Sequence, residues 1–133
     1  MKKLILVAMV AAVMPFSAFA ESHGGGDAKA GAKIFKKCKA CHMVGPKAKK
    51  RVGPVLNGII GREAATVEGF KYSKAMKSSG LTWDVETLTA FLKKPKKLVK
   101  GTKMGFAGIK KDEQIADVIA YLNQFDAEGN ESE

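Results

Sequence analysis

The stretch Cys38-Lys39-Ala40-Cys41-His42 decides how this 133-residue chain is expected to fold. It reads C-x-x-C-H, the signature by which a c-type haem is attached to a protein. Two thiols three positions apart lie on one side of a helical turn, where they can add to the two vinyl groups along one edge of a porphyrin. The histidine that follows is then brought to the iron. The motif therefore predicts covalent attachment by Cys38 and Cys41 and axial ligation by His42.

A C-x-x-C pair also occurs in thioredoxin-like redox sites, in zinc half-sites and in simple disulfides. A thioredoxin-like protein would alternate strands and helices, and this sequence has no such alternation. A zinc site needs further ligands, and the chain has only Cys38, Cys41, His42 and His23 as cysteines and histidines. A disulfide would leave His42 without a role. The sequence therefore favours one covalently attached haem c as the cofactor.

The first twenty residues have the pattern of a secretory signal. Lys2 and Lys3 precede an apolar run over 4–13 that is too short to span a bilayer, and Ala18-Phe19-Ala20 has the small-x-small form of a cleavage site. The alternative is a retained membrane anchor. We expect 1–20 to be a signal peptide that is cleaved after Ala20, with export to a bacterial periplasm. The oxidising conditions there suit two thiols that haem attachment consumes.

Composition divides the rest of the chain into three parts. Residues 21–26 form a Gly-rich flexible leader, in which His23 is expected to be solvated. Residues 27–125 form a single domain, and residues 126–133 form an acidic tail that we expect to be frayed.

The charge balance is strongly basic, with 23 basic against 13 acidic residues. Without Lys2 and Lys3 the balance is 21 against 13, a formal +8. Such a charge favours acidic proteins, nucleic acid or anionic membranes as partners, although excess lysine also keeps a protein in solution. Export argues against nucleic acid, and no helix-turn-helix or repeat of basic and aromatic residues is present. We therefore expect acidic protein partners, no nucleic acid and no stable membrane anchor.

Helical periodicity is clearest near the two ends of the domain. Asp27 is a suitable N-cap for a first helix over 28–40. Gly31 within it indicates either close approach by another helix or ordinary tolerance of glycine. Asp112 can cap a last helix, which we expect to cross the first at Gly31. Its apolar stripe consists of Ile115, Val118, Ile119 and Leu122.

Between them the sequence predicts a third main helix and no strands. Thr82 or Asp84 can cap this helix, and Pro95 ends it. Residues 93–100 are expected to form a basic connector. The fold class is therefore all-α, with three main helices and one or two short ones wrapped around a single haem.

The segment 43–61 contains the turn signals Gly45-Pro46, Gly53-Pro54 and Asn57-Gly58, together with apolar residues that follow no period. Such a loop is expected to pack against a flat apolar cofactor. Arg62 follows it directly. Its guanidinium fork suits a haem propionate, and the alternative is an ordinary surface arginine.

Tyr72 and Trp83 lie on either side of a short helix predicted over 74–79, which Ser73 can cap. Each aromatic has an apolar body and one hydrogen-bond donor. Beside a propionate both donors would be satisfied, whereas in a plain core they would need other partners.

The sixth position of the iron can be filled by methionine, histidine or lysine, or left vacant. Met43 adjoins His42 and cannot reach the opposite face. Met76 lies on the short predicted helix and is more often a core residue than a ligand. Met104 lies in a glycine-flanked loop, and loops commonly carry sites. We therefore favour Met104 over Met76.

The sequence resembles the class I cytochromes c, in particular the mitochondrial and alphaproteobacterial cytochrome c and c2 family. The resemblance extends from about residue 31 to residue 122. The motifs that carry it are Cys38-x-x-Cys41-His42, Gly53-Pro54-x-Leu56-Asn57-Gly58, Gly61-Arg62, Gly69-Phe70-x-Tyr72-Ser73, Leu81-Thr82-Trp83 and Gly101-Thr102-Lys103-Met104.

The resemblance implies a cytochrome c fold and a role for several residues. Met104 would be the sixth ligand of the iron, and the Pro54 carbonyl would accept the ring N–H of His42. The residues implied around the propionates are Arg62, Tyr72 and Trp83.

Two positions depart from the family pattern. Lys100 stands where many members have proline before Gly101. Phe91 stands where members commonly have a tyrosine that donates to the methionine sulfur. If Phe91 faces Met104, that hydrogen bond is absent, and we expect an altered reduction potential and a weaker bond between methionine and iron.

These features together predict a monomeric one-electron carrier of the periplasm, not an enzyme, that cycles its haem between Fe(II) and Fe(III). The resemblance implies partners in a respiratory or photosynthetic chain: a cytochrome bc1 complex, a terminal oxidase or a photosynthetic reaction centre. An enzyme or gas sensor with an open iron, and a binding module with a structural haem, are the alternatives. The lysines expected around the exposed haem edge are Lys37, Lys39, Lys47, Lys96, Lys97, Lys103 and Lys110.

Overall fold

Five α-helices supply the regular structure of residues 25–132, the part of the chain that this computed structural model describes. The helices are α1 (Ala28–Phe35), α2 (Lys74–Lys77), α3 (Val85–Lys93), α4 (Pro95–Leu98) and α5 (Asp112–Leu122). Within these residues the β-type pairings are two isolated bridges, Glu63 with Thr82 and Phe125 with Glu131. The predicted all-α fold with three main helices and one or two short ones is confirmed, and the short helices are two, α2 and α4. The predicted signal and most of the leader lie outside the described residues.

Helices α1 and α5 cross in close contact, as the sequence predicts. A Cβ atom at Gly31 would fall on the Asp117 carbonyl and 2.8 Å from the Cβ of Tyr121. The Asp27 N–H donates to Asp117 Oδ1 at 2.8 Å, and the rings of Phe35 and Tyr121 lie 5.2 Å apart. Glycine is therefore required at the crossing, because any side chain would hold the helices apart.

One apolar cluster joins the three main helices to the loops between them. Ile115 and Val118 of α5 are almost fully buried and face α1 and α3. None of the described helices is long and apolar enough to cross a membrane. The buried members of the cluster are Phe35, Ile59, Trp83, Leu88, Phe91, Leu92, Val99, Ile109, Ile115, Val118, Ile119 and Leu122.

The first helix is shorter than the predicted span of 28–40. Its cap is Asp27, as predicted, with Oδ1 accepting from the Lys29 N–H at 2.7 Å. After Phe35 the backbone tightens into turns: the Cys38 N–H donates to the Phe35 carbonyl at 2.8 Å, three residues back instead of four. The tighter turns carry the C-x-x-C-H motif away from the helix axis.

Helices α2 and α3 begin where the sequence predicts. Ser73 caps α2, with its Oγ accepting from the Met76 N–H at 3.1 Å, although the helix is two residues shorter than predicted. Asp84 caps α3, with Oδ1 accepting from the Thr87 N–H at 2.7 Å. A side-chain cap satisfies an N–H group that the helix itself leaves without a partner.

One expectation for the following segment is wrong. The basic connector contains α4, which begins at Pro95, where the missing N–H of proline removes no helical hydrogen bond. Asp112 does not cap α5 but is its first residue. Its carboxylate instead accepts a hydrogen bond from Lys93 Nζ at 2.7 Å, which ties the end of α3 to the start of α5.

The acidic segment 126–132 is folded, contrary to the expectation of a frayed tail. The Asp126 carboxylate accepts from the backbone N–H of Asn130 at 2.8 Å and from its side-chain amide at 3.0 Å. Gly129 is buried against the Gly45 carbonyl. The segment is therefore packed onto the loop that follows the C-x-x-C-H motif.

Candidate haem site

His42 is held rigidly on one wall of a cleft. Its ring is buried, and Nδ1 donates to the Pro54 carbonyl at 2.7 Å, which leaves Nε2 without a proton and free to bind a metal. A Cβ atom at Gly53 would lie 2.7 Å from Nδ1 and 2.8 Å from Nε2, so only glycine fits against the ring. Burial lowers the pKa of His42, partly opposed by the hydrogen bond to Pro54. The neutral imidazole that iron requires is therefore favoured.

The two cysteines lie on the same wall as His42. Both are half-buried, they are not joined by a disulfide, and both border the outer of the two cavities that form the cleft. Burial raises the pKa of the Cys38 thiol, the Cys41 charge adds to this, and the charge of Lys37 opposes it. Among residues 25–132, no group of three or more His, Cys, Asp and Glu side chains is arranged to hold a metal ion.

The cleft consists of two cavities that share lining residues. The outer cavity has a volume of about 400 Å³ and is bordered by Cys41 and Val52, and the inner one of about 100 Å³ reaches the apolar cluster. The cleft thus offers two thiols that can form thioethers, an oriented imidazole and apolar walls. These features together are suited to holding a haem. The residues that border both cavities are Cys38, His42, Tyr72, Met76 and Met104.

Met104 lies in a loop without helix or strand between α4 and α5. Gly101 and Gly108 bound this loop with φ of +87° and +107°, a conformation open to glycine. The Met104 N–H donates to Thr102 Oγ1 at 3.3 Å, and the Ile109 N–H donates to the Leu92 carbonyl at 2.8 Å. The second bond ties the end of the loop to α3, and Met104 lies on the cleft.

Met76 borders the same two cavities as Met104, so cavity lining alone does not separate the two candidate ligands. Met43 borders neither of them. The choice of Met104 as the sixth ligand stays a prediction.

The three residues expected near the propionates all border the inner cavity. Arg62 and Trp83 are neighbours in space, since the backbone N–H of Trp83 donates to the backbone carbonyl of Arg62 at 2.8 Å. The Tyr72 hydroxyl accepts from the Val67 N–H at 3.1 Å, which leaves its own proton free for an acceptor. Their role toward propionates stays a prediction.

The Arg62 guanidinium is partly occupied by the protein itself. Nη1 donates to the Asn57 carbonyl at 2.8 Å and Nη2 to the Val55 carbonyl at 3.1 Å. Burial lowers the pKa of Arg62, and the nearby Tyr72 opposes this. An arginine has five N–H donors, so three remain for an anionic ligand.

A clamp on the loop after His42 was not predicted from the sequence. The buried side chain of Asn57 donates through Nδ2 to the Gly45 carbonyl at 2.9 Å and accepts from the Gly45 N–H at 2.8 Å. Asn57-Gly58 is a turn signal and part of a family motif, and neither property predicts this contact. The clamp fixes the segment that carries Gly53 and Pro54 against His42.

Lysines surround the outer cavity, and all seven that the sequence singles out are exposed. Lys37 and Lys103 border the outer cavity, together with Lys71, which the sequence reasoning missed. Lys96 and Lys97 border a neighbouring surface cleft. Two of the seven therefore border the outer cavity, and two others border the neighbouring cleft.

Comparison with known proteins agrees with this geometry. Residues 28–126 match the Cytochrome c family. The chain is 46% identical over 132 residues to cytochrome c2 of Blastochloris viridis, covering 98% of each chain. It is 52% identical over 120 residues to cytochrome c2 of Rhodomicrobium vannielii, covering 90% of this chain and 94% of that one. The solved structure of cytochrome cH from Methylobacterium extorquens has a TM-score of 0.70 and 48% identity, covering 74% of this chain and 98% of that one.

The motif, the oriented histidine, the apolar cleft and these relatives lead to one conclusion. The chain belongs to the cytochrome c family and is an electron carrier with one covalently bound haem c.

Proposed function

We propose that this chain is a periplasmic one-electron carrier whose haem iron is bound by His42 and Met104. In this account it shuttles electrons between membrane redox complexes. The observation that carries the proposal is the placement of His42 and Met104 on one cleft, with the imidazole oriented by the Pro54 carbonyl at 2.7 Å.

The protein's part in electron transfer is to hold the ligands in one arrangement. When bound, the haem supplies a one-electron Fe(II)/Fe(III) couple, and His/Met ligation raises its potential. The Pro54 carbonyl increases the basicity of His42 and prevents rotation of its ring. Gly53 on one side and the Asn57 clamp on the other fix this wall of the cleft. Little has to reorganise when an electron enters or leaves.

The apolar walls exclude water and disfavour added positive charge. Phe91 and Leu92 are buried and border the inner cavity beside Met104. A poorly solvated site favours the state of lower charge, which is the ferrous one. We assign Arg62, Tyr72 and Trp83 to the propionates, since all three border the inner cavity and each side chain has a hydrogen-bond donor.

Recognition of partners is assigned to the lysines around the outer cavity. Lys37, Lys71 and Lys103 border the cavity itself. A positive ring around a redox centre steers encounter with an acidic docking surface, and salt weakens it. Contacts between electron-transfer partners are small, so release stays fast. The partner classes that fit are a cytochrome bc1 complex, a terminal oxidase or a photosynthetic reaction centre.

Export is the second part of the proposal. It is supported by the charged start, the short apolar run and Ala18-Phe19-Ala20 in the sequence. Mass spectrometry of the protein recovered from periplasmic extract is expected to give a mature chain that begins at Glu21 and carries one haem. Recovery only from membranes, with residues 1–20 retained, would contradict this part.

The carrier function is tested by stopped-flow electron transfer from a purified cytochrome bc1 complex. We expect a fast second-order reaction whose rate falls as salt rises. Lys103→Glu should slow the reaction at low salt much more than Lys29→Glu, which makes the same charge change on α1 and does not border the cleft. Equal effects of the two substitutions, or a rate independent of salt, would contradict docking at the cleft.

A further inference from the structure

Two thioether side chains, not one, meet at the cleft that holds His42. Met104 and Met76 border both the inner and the outer cavity together with His42. Both are half-buried and pack against the apolar cluster. The iron has one axial position opposite His42, so one of the two sulfurs is not needed in the resting state.

Met76 is carried on a well-supported turn. Its N–H donates to Ser73 Oγ at 3.1 Å, which fixes the start of α2. α2 contacts the beginning of the Met104 loop, since a Cβ atom at Gly101 would lie 3.3 Å from the Cβ of Ala75. The support of Met76 is therefore a capped helical turn, whereas the support of Met104 is a loop without helix or strand.

Two kinds of side chain near the methionines, hydrocarbons and lysines, compete poorly with Met76 for a metal at neutral pH. The neighbours of the two methionines in the inner cavity include Leu88, Phe91 and Leu92, which have no donor atom. Lysine side chains border the outer cavity, and an ammonium group must lose a proton before its nitrogen can bind a metal. A thioether needs no deprotonation, and the three rotatable bonds of methionine let it adapt to an irregular space.

We propose that Met76 is a reserve axial ligand of the haem iron. When the Met104 sulfur is removed or displaced, the bond between iron and Met104 Sδ is broken and a bond to Met76 Sδ forms. The oxidation state of the iron and the number of bound protons do not change. The inference rests on the proposed His42/Met104 ligation and assigns Met76 a role distinct from packing.

The test uses the haem-loaded protein and three variants: Met76→Leu, Met104→Ala and the double variant. The readouts are the ferric thioether-to-iron charge-transfer band, the spin state and the rate of cyanide binding. Met76→Leu is expected to keep the wild-type spectrum, since leucine preserves volume. Met104→Ala is expected to keep a low-spin iron and a shifted thioether band, unchanged between pH 5 and 8. The double variant is expected to lose the band and to bind cyanide at least about tenfold faster than Met104→Ala, a difference of about 1.4 kcal/mol in the barrier.

Several outcomes overturn the inference and remain distinguishable from failure of the proposed function. If Met104→Ala has no thioether band, or matches the double variant in cyanide binding, Met76 is not a reserve ligand and the carrier function is untouched. If Met76→Leu alone abolishes the wild-type band, Met76 is the resting ligand and the proposed His42/Met104 pair is wrong. Should Met104→Ala fail to mature, Met104→Val with and without Met76→Leu gives the same comparison.

Discussion

Gly31→Ala is expected to destabilise the protein although it improves the intrinsic propensity of α1. In a helix without tertiary contacts, alanine in place of glycine would gain about 1 kcal/mol. Here the new Cβ would fall on the Asp117 carbonyl of α5 and 2.8 Å from the Cβ of Tyr121. Neither a helical carbonyl nor a Cβ can rotate away, so the two helices must separate.

The magnitude follows from these opposing effects. Overpacking of a close contact costs about 3 kcal/mol at the upper end of its usual range, which leaves a net loss of about 2 kcal/mol after the propensity gain. For a domain of this size that loss lowers Tm by roughly 8–16 °C. Urea unfolding of the haem-loaded protein, followed by circular dichroism, measures it.

The matched control lies on the same helix. Ala32→Gly is expected to cost about 1 kcal/mol through helix propensity alone. The two substitutions therefore separate helix propensity from interhelical contact. A Gly31→Ala variant as stable as the wild type, or more stable, would refute the close crossing of α1 and α5.

Four further outcomes are expected. Gly53→Ala should reduce the six-coordinate low-spin fraction of the ferric spectrum, because its Cβ would lie 2.7 Å from Nδ1 of His42; an unchanged spectrum would contradict this. Ala65→Gly should stabilise the protein by about 0.5 kcal/mol in urea unfolding, because Ala65 has φ +64° and glycine relieves that strain at some cost in entropy; a loss of stability would count against it. Phe91→Tyr should alter the reduction potential and strengthen Met104 ligation, since Phe91 and Met104 border one cavity; unchanged voltammetry and an unchanged charge-transfer band would sink the idea. Haem-free protein should be poorly helical, since so small a domain loses a large part of its core; native circular dichroism with cooperative melting would argue the opposite.

The fold class and the motif could be predicted because they depend on local sequence. The spacing of Cys38, Cys41 and His42 needs no tertiary context, and the periodicity of α5 identifies the face that packs on α1. Gly31 pointed to the crossing because glycine lowers the stability of a helix, and a close approach by another element explains why it is present.

What the sequence missed depends on contacts between distant segments. Nothing local indicates that Asn57 would bond Gly45 through both amide atoms, or that Gly129 would pack on Gly45 and order the acidic segment. The wrong prediction that Asp112 caps α5 also arises from a contact between distant segments. A carboxylate is suited either to the cap position or to the first turn of a helix, and the ion pair with Lys93 at 2.7 Å favours the first turn.

The central claim, His42 and Met104 as axial ligands of a one-electron haem, is tested most directly by NMR of the ferrous protein labelled at the methionine methyl carbons. A methyl group bound through sulfur over the face of a porphyrin gives a strongly upfield-shifted signal. The account predicts one such signal, present in the wild type and in Met76→Leu and absent from its wild-type position in Met104→Ala. A spectrum without it, or its loss in Met76→Leu, would contradict the account.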